Sequence, residues 1–207
     1  MIRFKRTLII IITGIMLLVT CTEDLKDLNI NPKTSDEMSD GYLFTYALNV
    51  TGGRQYTAKR VNLFLCSTFI QQFANLSTGD YGVGDKYLYS NTFCSAYFDE
   101  SYPQAVKELT MLIHKLKDDP EMVNNLSMAR IWRAVVFHVI TDLYGDVPYS
   151  EAGLGYLSQN YTPKYDTQQS IYADMLKELE EAVAAFDTSK PNWGAADFIY
   201  GGDIAKW

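Results

Sequence analysis

Residues Ser127–Tyr149 read SMARIWRAVVFHVITDLYGDVPY. Apolar Met128, Ile131, Val135, Val139 and Leu143 recur three or four apart, the spacing that lines up one face of an α-helix. Gly145 suits a left-handed helix end, Asp146 can satisfy nearby backbone amides, and Pro148 stops helix continuation. The stretch therefore predicts a helix over Ser127–Leu143 and a structural stop at Tyr144–Pro148. Trp132 and Arg133 lie on that helix, with Trp132 read as core packing rather than a sugar platform.

The same period extends in both directions. After a loop over Tyr144–Tyr165, Asp166–Phe186 places Ile171, Met175, Leu179, Ala182 and Phe186 on one row. Asp166 with Gln169 resembles a capping box, and Lys177 with Glu181 can pair on the wet face. Upstream, Pro103–Lys117 carries Ala105, Leu109, Leu112, Ile113 and Leu116, with Pro103 in its first turn and Asp118-Asp119-Pro120 beyond its end. Lys59–Asn75 carries Val61, Leu65, Phe69 and Phe73, widened by Leu63, Ile70 and Leu76, and reads as a buried helix face ended near Ser77-Thr78-Gly79. Tyr42–Val50 opens the first helix, which Gly52-Gly53 ends. Ile204–Trp207 looks like the first turn of another helix capped by Asp203, so the sequence is expected to continue in a longer protein. Almost no alternating strand pattern is present. The expected class is all-α.

The N-terminus tells a different story. Arg3, Lys5 and Arg6 precede an apolar stretch, Leu8–Val19, too short to span a bilayer core. Leu18-Val19-Thr20-Cys21 resembles a bacterial lipobox, with Thr20 where a smaller residue is usual. Cys21 is then the lipidation site, and the acidic Glu23 and Asp24 follow it. The expected organisation is a lipoprotein signal peptide over 1–20, a polar linker over 21–40, and a helical region over 41–207. The net charge of −7 becomes −10 once the three basic signal residues are removed. So acidic a chain argues against a nucleic-acid partner and against electrostatic docking on anionic lipid. The tether would hold it at the membrane. Of the other cysteines, Cys66 in Phe64-Leu65-Cys66 reads as a small buried hydrophobe; a bridge to Cys94 stays open.

The ligand candidates are aromatic. Between Asp80 and Phe98, Gly82 and Gly84 break the chain, while Tyr81, Tyr87, Tyr89, Phe93, Tyr97 and Phe98 crowd it. Sugars offer C–H faces that stack on rings and hydroxyl edges that need acceptors and donors. Tyr81, Tyr87 and Tyr89 beside Asp80 and Asp85 supply both, and Trp193, between Pro191 and Gly194, is a further exposed candidate. The competing reading packs these rings over the bundle or against a partner protein. His114 and His138 sit mid-helix without a second ligand at metal spacing. No nucleophile elbow or phosphate loop is present, so no catalytic site, metal or cofactor is expected.

Several stretches together resemble the SusD/RagB family. They are Asp27–Pro32 after the lipobox, Gln71-Gln72-Phe73-Ala74 before the aromatic loop, Met128–Ala134 leading to Asp142–Ala152, Ile171–Ala182, and Gly202–Trp207. The resemblance implies an all-α helical bundle with tetratricopeptide-like helix pairs and long aromatic loops. It implies an outer-membrane lipoprotein of Bacteroidetes-type bacteria, facing the exterior. Such proteins capture oligosaccharide, or in some members peptide, for import through a TonB-dependent, SusC-like transporter, without catalysis. The alternative is a tetratricopeptide-type envelope scaffold that binds proteins or peptides rather than glycans. Members are generally longer, so the chain corresponds to the front part of one.

Overall fold

The helix expected over Ser127–Leu143 is longer than its apolar period. In the computed structural model, which describes residues 38–52, 55–76 and 83–207, it spans Val123–Tyr144. Its start is hidden in sequence because Asn124 and Asn125 read as loop residues. Asn124 is fully buried. Its Nδ2 donates to the carbonyls of Asp187, Lys190 and Pro191, and its Oδ1 accepts from the Asp187 amide at 2.9 Å. Tertiary satisfaction of every polar atom overrides the weak helix propensity of asparagine. Asp119 begins the approach, accepting from the Glu121 amide ahead of a short 3₁₀ turn, Pro120–Met122.

The remaining elements are α1 (Asp40–Thr51), α2 (Gln55–Ala58), a π-helical stretch (Lys59–Cys66), α3 (Ser67–Phe69), α4 (Asn91–Cys94), α5 (Ala96–Ser101), a second π-helical stretch (Tyr102–Val106) and α6 (Lys107–Leu116). The Val123–Tyr144 helix is α7; α8 (Gly155–Ser158) and α9 (Gln168–Ala184) follow. Among the described residues there is no strand, only an isolated antiparallel bridge between Val147 and Asp166. The fold is all-α. No helix of the described residues is long and apolar enough to cross a membrane. Cys21, the expected signal segment 1–20 and the expected linker up to residue 37 lie outside the described residues.

Helix α7 is the central element, packed against α6 and α9, while α1 packs on α6. Being covered on two sides, α7 buries Met128, Ala129, Val136, Phe137 and Ile140 and leaves Val135, a member of the expected stripe, 38% exposed. Phe44 and Leu48 of α1, Leu109 and Leu112 of α6, and Ile171 and Met175 of α9 complete the core. Each such side chain contributes about 1.5–3 kcal/mol on burial. At the wet edge of the α7–α9 seam, Arg130 donates to Glu178 and Glu181, both at 2.6 Å. The expected Lys177–Glu181 pair forms at 3.7 Å.

Three local expectations need correction. The Lys59–Asn75 stripe is not a buried α-helical face. The helical run stops at Phe69, and only Val61 of the apolar row is buried, while Ile70, Phe73 and Leu76 are 65%, 54% and 99% exposed. In a π-turn the hydrogen bond reaches five residues back, so residues four apart no longer stack on one face. Pro103 does not open its helix either. It lies within continuous helical backbone, where the π-helical stretch Tyr102–Val106 accommodates a residue with no N–H to donate. The cap of α9 is Thr167, whose hydroxyl accepts from the Ser170 amide at 3.3 Å. Asp166 instead reaches across to accept from the amides of Tyr149 at 3.2 Å and Ser150 at 2.7 Å.

Candidate functional site

The ring-rich segment after residue 82 is held by glycine and by tight turns. Gly84 lies so close to the preceding helical run that a Cβ there would sit 1.8 Å from Thr68 Oγ1 and 2.5 Å from the Phe64 carbonyl oxygen. Only glycine fits. The turn closes with the Tyr87 amide donating to Gly84 O at 3.0 Å and the Leu88 amide to Val83 O at 2.9 Å. Tyr87 takes a left-handed conformation, φ 54°. Asp85 ties this turn to the preceding loop, since its carbonyl accepts from Gln71 Nε2 and its Oδ2 from the Asn75 amide, at 3.1 and 3.0 Å. Asp85 Oδ1 is buried with no hydrogen-bond partner among the described residues. This carboxylate shapes the loop and is not presented outward.

Tyr87 and Tyr89 are presented outward, at 63% and 77% exposure. Tyr87 is steadied edge-on by Phe69, ring centroids 5.6 Å apart, and the Tyr89 hydroxyl donates to Asn91 Oδ1 at 3.2 Å. Tyr89 borders two hollows. One, of ≈ 540 Å³, is walled by Tyr56, Lys59, Arg60, Phe64 and Phe93, with Ser90 and Thr92 hydroxyls at its edge. The other, of ≈ 520 Å³, is walled by Asn91, Phe98, Tyr144, Asp146 and Tyr165. Both volumes fall in the range of small-molecule sites. Tyr165, 65% exposed, lines the second hollow together with Tyr89; Tyr56, 58% exposed, lines the first with it.

Asp80 and Tyr81 lie outside the described residues. Trp193 is a correction: it was expected to be exposed and is 8% exposed, stacked on Phe44 with centroids 4.9 Å apart and planes 14° apart. Its Nε1 donates to the Asn125 carbonyl at 3.2 Å. A Pro–Gly-flanked tryptophan looks like a loop tip, but this loop is drawn inward by Asn124. Reading the sequence missed Tyr56, Arg60 and Tyr165. Tyr165 stands in a loop that was recognised; Tyr56 and Arg60 stand in helical backbone, where polarity alone does not distinguish a ligand wall from a wetted face.

The remaining tyrosines near the site are engaged internally. The Tyr144 hydroxyl donates to Cys94 O at 2.8 Å and accepts from the Phe98 amide at 3.1 Å. The Tyr102 hydroxyl donates to Pro148 O at 2.6 Å, and that of Tyr149 to Asp174 at 2.7 Å. Burial pushes all three phenols above their ordinary range, with the negative charge of Asp174 adding to the rise at Tyr149. Asp146 accepts from the Gln168 amide at 2.9 Å, which makes Tyr144–Pro148 a structural joint between α7 and α9. Cys66 and Cys94 are free, half-buried thiols; burial, with Cys94 nearby, raises the Cys66 thiol. Among the described residues, no three His, Cys, Asp or Glu side chains converge as a metal site.

Residues 32–207 match the family described as SusD-like, starch-binding and associating with the outer membrane. The chain belongs to the SusD-like family. A solved chitin-binding protein is 32% identical with a TM-score of 0.70, covering 81% of this chain and 35% of its own. A SusD-like protein of Bacteroidetes AC2a is 31% identical with a TM-score of 0.68, covering 82% and 31%. A SusD homologue of Parabacteroides distasonis, at 23% identity and a TM-score of 0.65, shares the fold. The SusD-like chain spans about a third of the length of these relatives. No curated protein sequence matches it.

Proposed function

We propose that this SusD-like chain captures glycan at the outer membrane, tethered through an acylated Cys21, and hands it to a TonB-dependent, SusC-like transporter for import without cleaving it. The observation that carries the reading is that the exposed rings of Tyr89, Tyr56 and Tyr165 line two hollows on a helical scaffold. Exposed phenol rings match the C–H faces of sugars, and a rim already held by internal hydrogen bonds avoids part of the ordering cost of binding. The starch-binding description of the family and the chitin-binding relative point the same way.

The test is calorimetric titration of the full chain, purified in detergent, with a panel of neutral and acidic oligosaccharides. At least one series should bind, and Tyr89→Ala should weaken it between about twofold and tenfold, since stacking on one ring contributes about 0.5–1.5 kcal/mol. Product analysis after long incubation should show intact oligosaccharide. A protein that ignores every glycan offered defeats the proposal. A second reading, an envelope scaffold, is favoured by the exposure of Ile70, Phe73 and Leu76 within one short segment, because exposed apolar side chains grouped together are a usual mark of protein contact. Peptide binding without glycan binding would select it.

A further inference from the structure

The walls of the hollow between the Lys59–Cys66 stretch and Tyr89 are cationic in an otherwise acidic chain. The Arg60 guanidinium lies 3.8 Å from the centroid of the Tyr56 ring and donates to the Tyr56 hydroxyl. Lys59 Nζ stands 5.2 Å from the centroid of Phe64 in the same wall. Several other cations sit against carboxylates, as Lys115 does with Asp40, Arg130 with Glu178 and Glu181, and Lys190 with Glu121. Arg60 forms no ion pair with any described carboxylate, and none of the described residues lining the hollow is Asp or Glu. A guanidinium that lines a cavity with no described carboxylate against it can be paired there by an incoming anion.

We propose that this hollow receives a negatively charged sugar unit, carrying a carboxylate or a sulfate, so that the glycan bound is acidic. The proposal rests on the glycan reading above and names the ligand class for that site. A planar guanidinium offers a fork of donors matched to the paired oxygens of either group. Here the fork is pre-oriented by stacking on Tyr56, so less side-chain freedom is lost on binding. Ser90 and Thr92 add hydroxyl partners for sugar edges, and Tyr56 and Tyr89 add ring faces. The chain's overall negative charge would repel a polyanion at long range. A local basic wall is therefore a selective device, admitting charge only where it can be paired.

The experiment titrates the full chain in detergent with oligogalacturonides, chondroitin sulfate oligosaccharides, malto-oligosaccharides and chito-oligosaccharides, at low and at high sodium chloride. At least one acidic series should bind about tenfold tighter than the neutral ones, because a charge-assisted contact contributes upward of 1.5 kcal/mol. The advantage should shrink as salt screens it. Arg60→Gln, checked for an unchanged thermal transition, should bring the acidic-to-neutral ratio down toward one, and Lys59→Gln should lower it less. Comparing uronate with sulfate identifies which anion the fork accepts. Neutral glycans that bind as tightly as acidic ones, or a ratio that neither Arg60→Gln nor salt changes, overturn the charge selectivity while leaving glycan capture standing. An unstructured oligonucleotide bound as tightly as the acidic glycans would also overturn it. Indifference to all glycans overturns both readings.

Discussion

Replacing Trp193 separates a packing role from a ligand role. Its ring is 8% exposed and lies flat on Phe44, itself fully buried in α1, while its Nε1 satisfies the Asn125 carbonyl at the start of α7. A tryptophan buries up to about 250 Å², which at 25 cal/mol/Å² sets an upper value near 6 kcal/mol. Compact unfolded chains reduce that figure, and measured Trp→Ala losses in cores run about 3–5 kcal/mol. For a domain of this size, about 4 kcal/mol corresponds to a fall of roughly 8–16 °C in the melting temperature. Trp193→Phe keeps a ring on Phe44 but removes the indole bond to the Asn125 carbonyl, which retains its place in the α7 ladder, beside an Asn125 Oδ1 that has no partner among the described residues. Losing that bond costs about 1–2 kcal/mol. Thermal unfolding followed by far-UV circular dichroism should rank wild type above Trp193→Phe above Trp193→Ala. At temperatures where the variants are folded, glycan affinity should be unchanged. A Trp193→Ala protein that melts like wild type yet no longer binds would refute the reasoning and return Trp193 to the ligand surface.

Gly145 ends α7 at φ 74° and ψ −121°, a region open in practice to glycine alone, and a Cβ there would meet nothing within 4 Å. Gly145→Ala should therefore cost about 1–3 kcal/mol from backbone strain, measured by urea unfolding; a neutral outcome would show the turn re-forms with another conformation. Asp197 is pushed up by burial, but donors from Trp207 Nε1 and the amides of Gly202, Tyr200 and Ile199 outweigh this and hold its carboxyl below the usual value. A depressed carboxyl stabilises the fold above its ordinary value of about 3.9 and loses that contribution as pH falls through the folded value. The melting-temperature gap between wild type and Asp197→Asn should thus be full at neutral pH and close as pH drops below about 4; a gap independent of pH would contradict it. Tyr144→Phe removes the hydroxyl that joins Cys94 and Phe98 to the end of α7. It should cost about 1–2 kcal/mol of stability and also weaken glycan binding several-fold by loosening the segment that bears Tyr89. Binding unchanged in the face of lost stability would sever the rim from the site.

The central helices were legible because their period survives into the structure: Leu109, Leu112 and Leu116 in α6, and Ile171, Met175 and Ala182 in α9, are buried as their spacing requires. The failures share a physical origin, namely contacts distant in sequence. Asn124 reads as a loop residue until the carbonyls at 187, 190 and 191 are brought to it. Asp166 reads as a cap until the 149–150 amides arrive. Trp193 reads as exposed until Phe44 covers it. At Lys59–Cys66 the error is of another kind, because a spacing of four defines a face only in an α-helix, and this backbone winds more widely. The aromatic loop was found from composition. Its partners Tyr56, Arg60 and Tyr165 were not, since only the fold brings positions more than twenty residues distant to the same rim.

One residue type performs two jobs at that rim, and burial divides them. Tyr144, Tyr102 and Tyr149 turn their hydroxyls inward and fasten three chain segments around the C-terminal end of α7. Asp166 and Asp146 add carboxylate bonds across the same joint. Tyr89 and Tyr165 stand on the segments so fastened and keep their rings in water. Loops of this composition would otherwise sample many conformations, at about 1–2 kcal/mol of backbone entropy for each residue that a ligand has to order. Locking the rim during folding moves that cost out of the binding step. A chain with abundant tyrosine can thus hold a few exposed rings in place, so that any ligand stacking on them meets little entropic penalty. On the proposed glycan reading, the inward-turned phenols serve binding through the rim they hold in place.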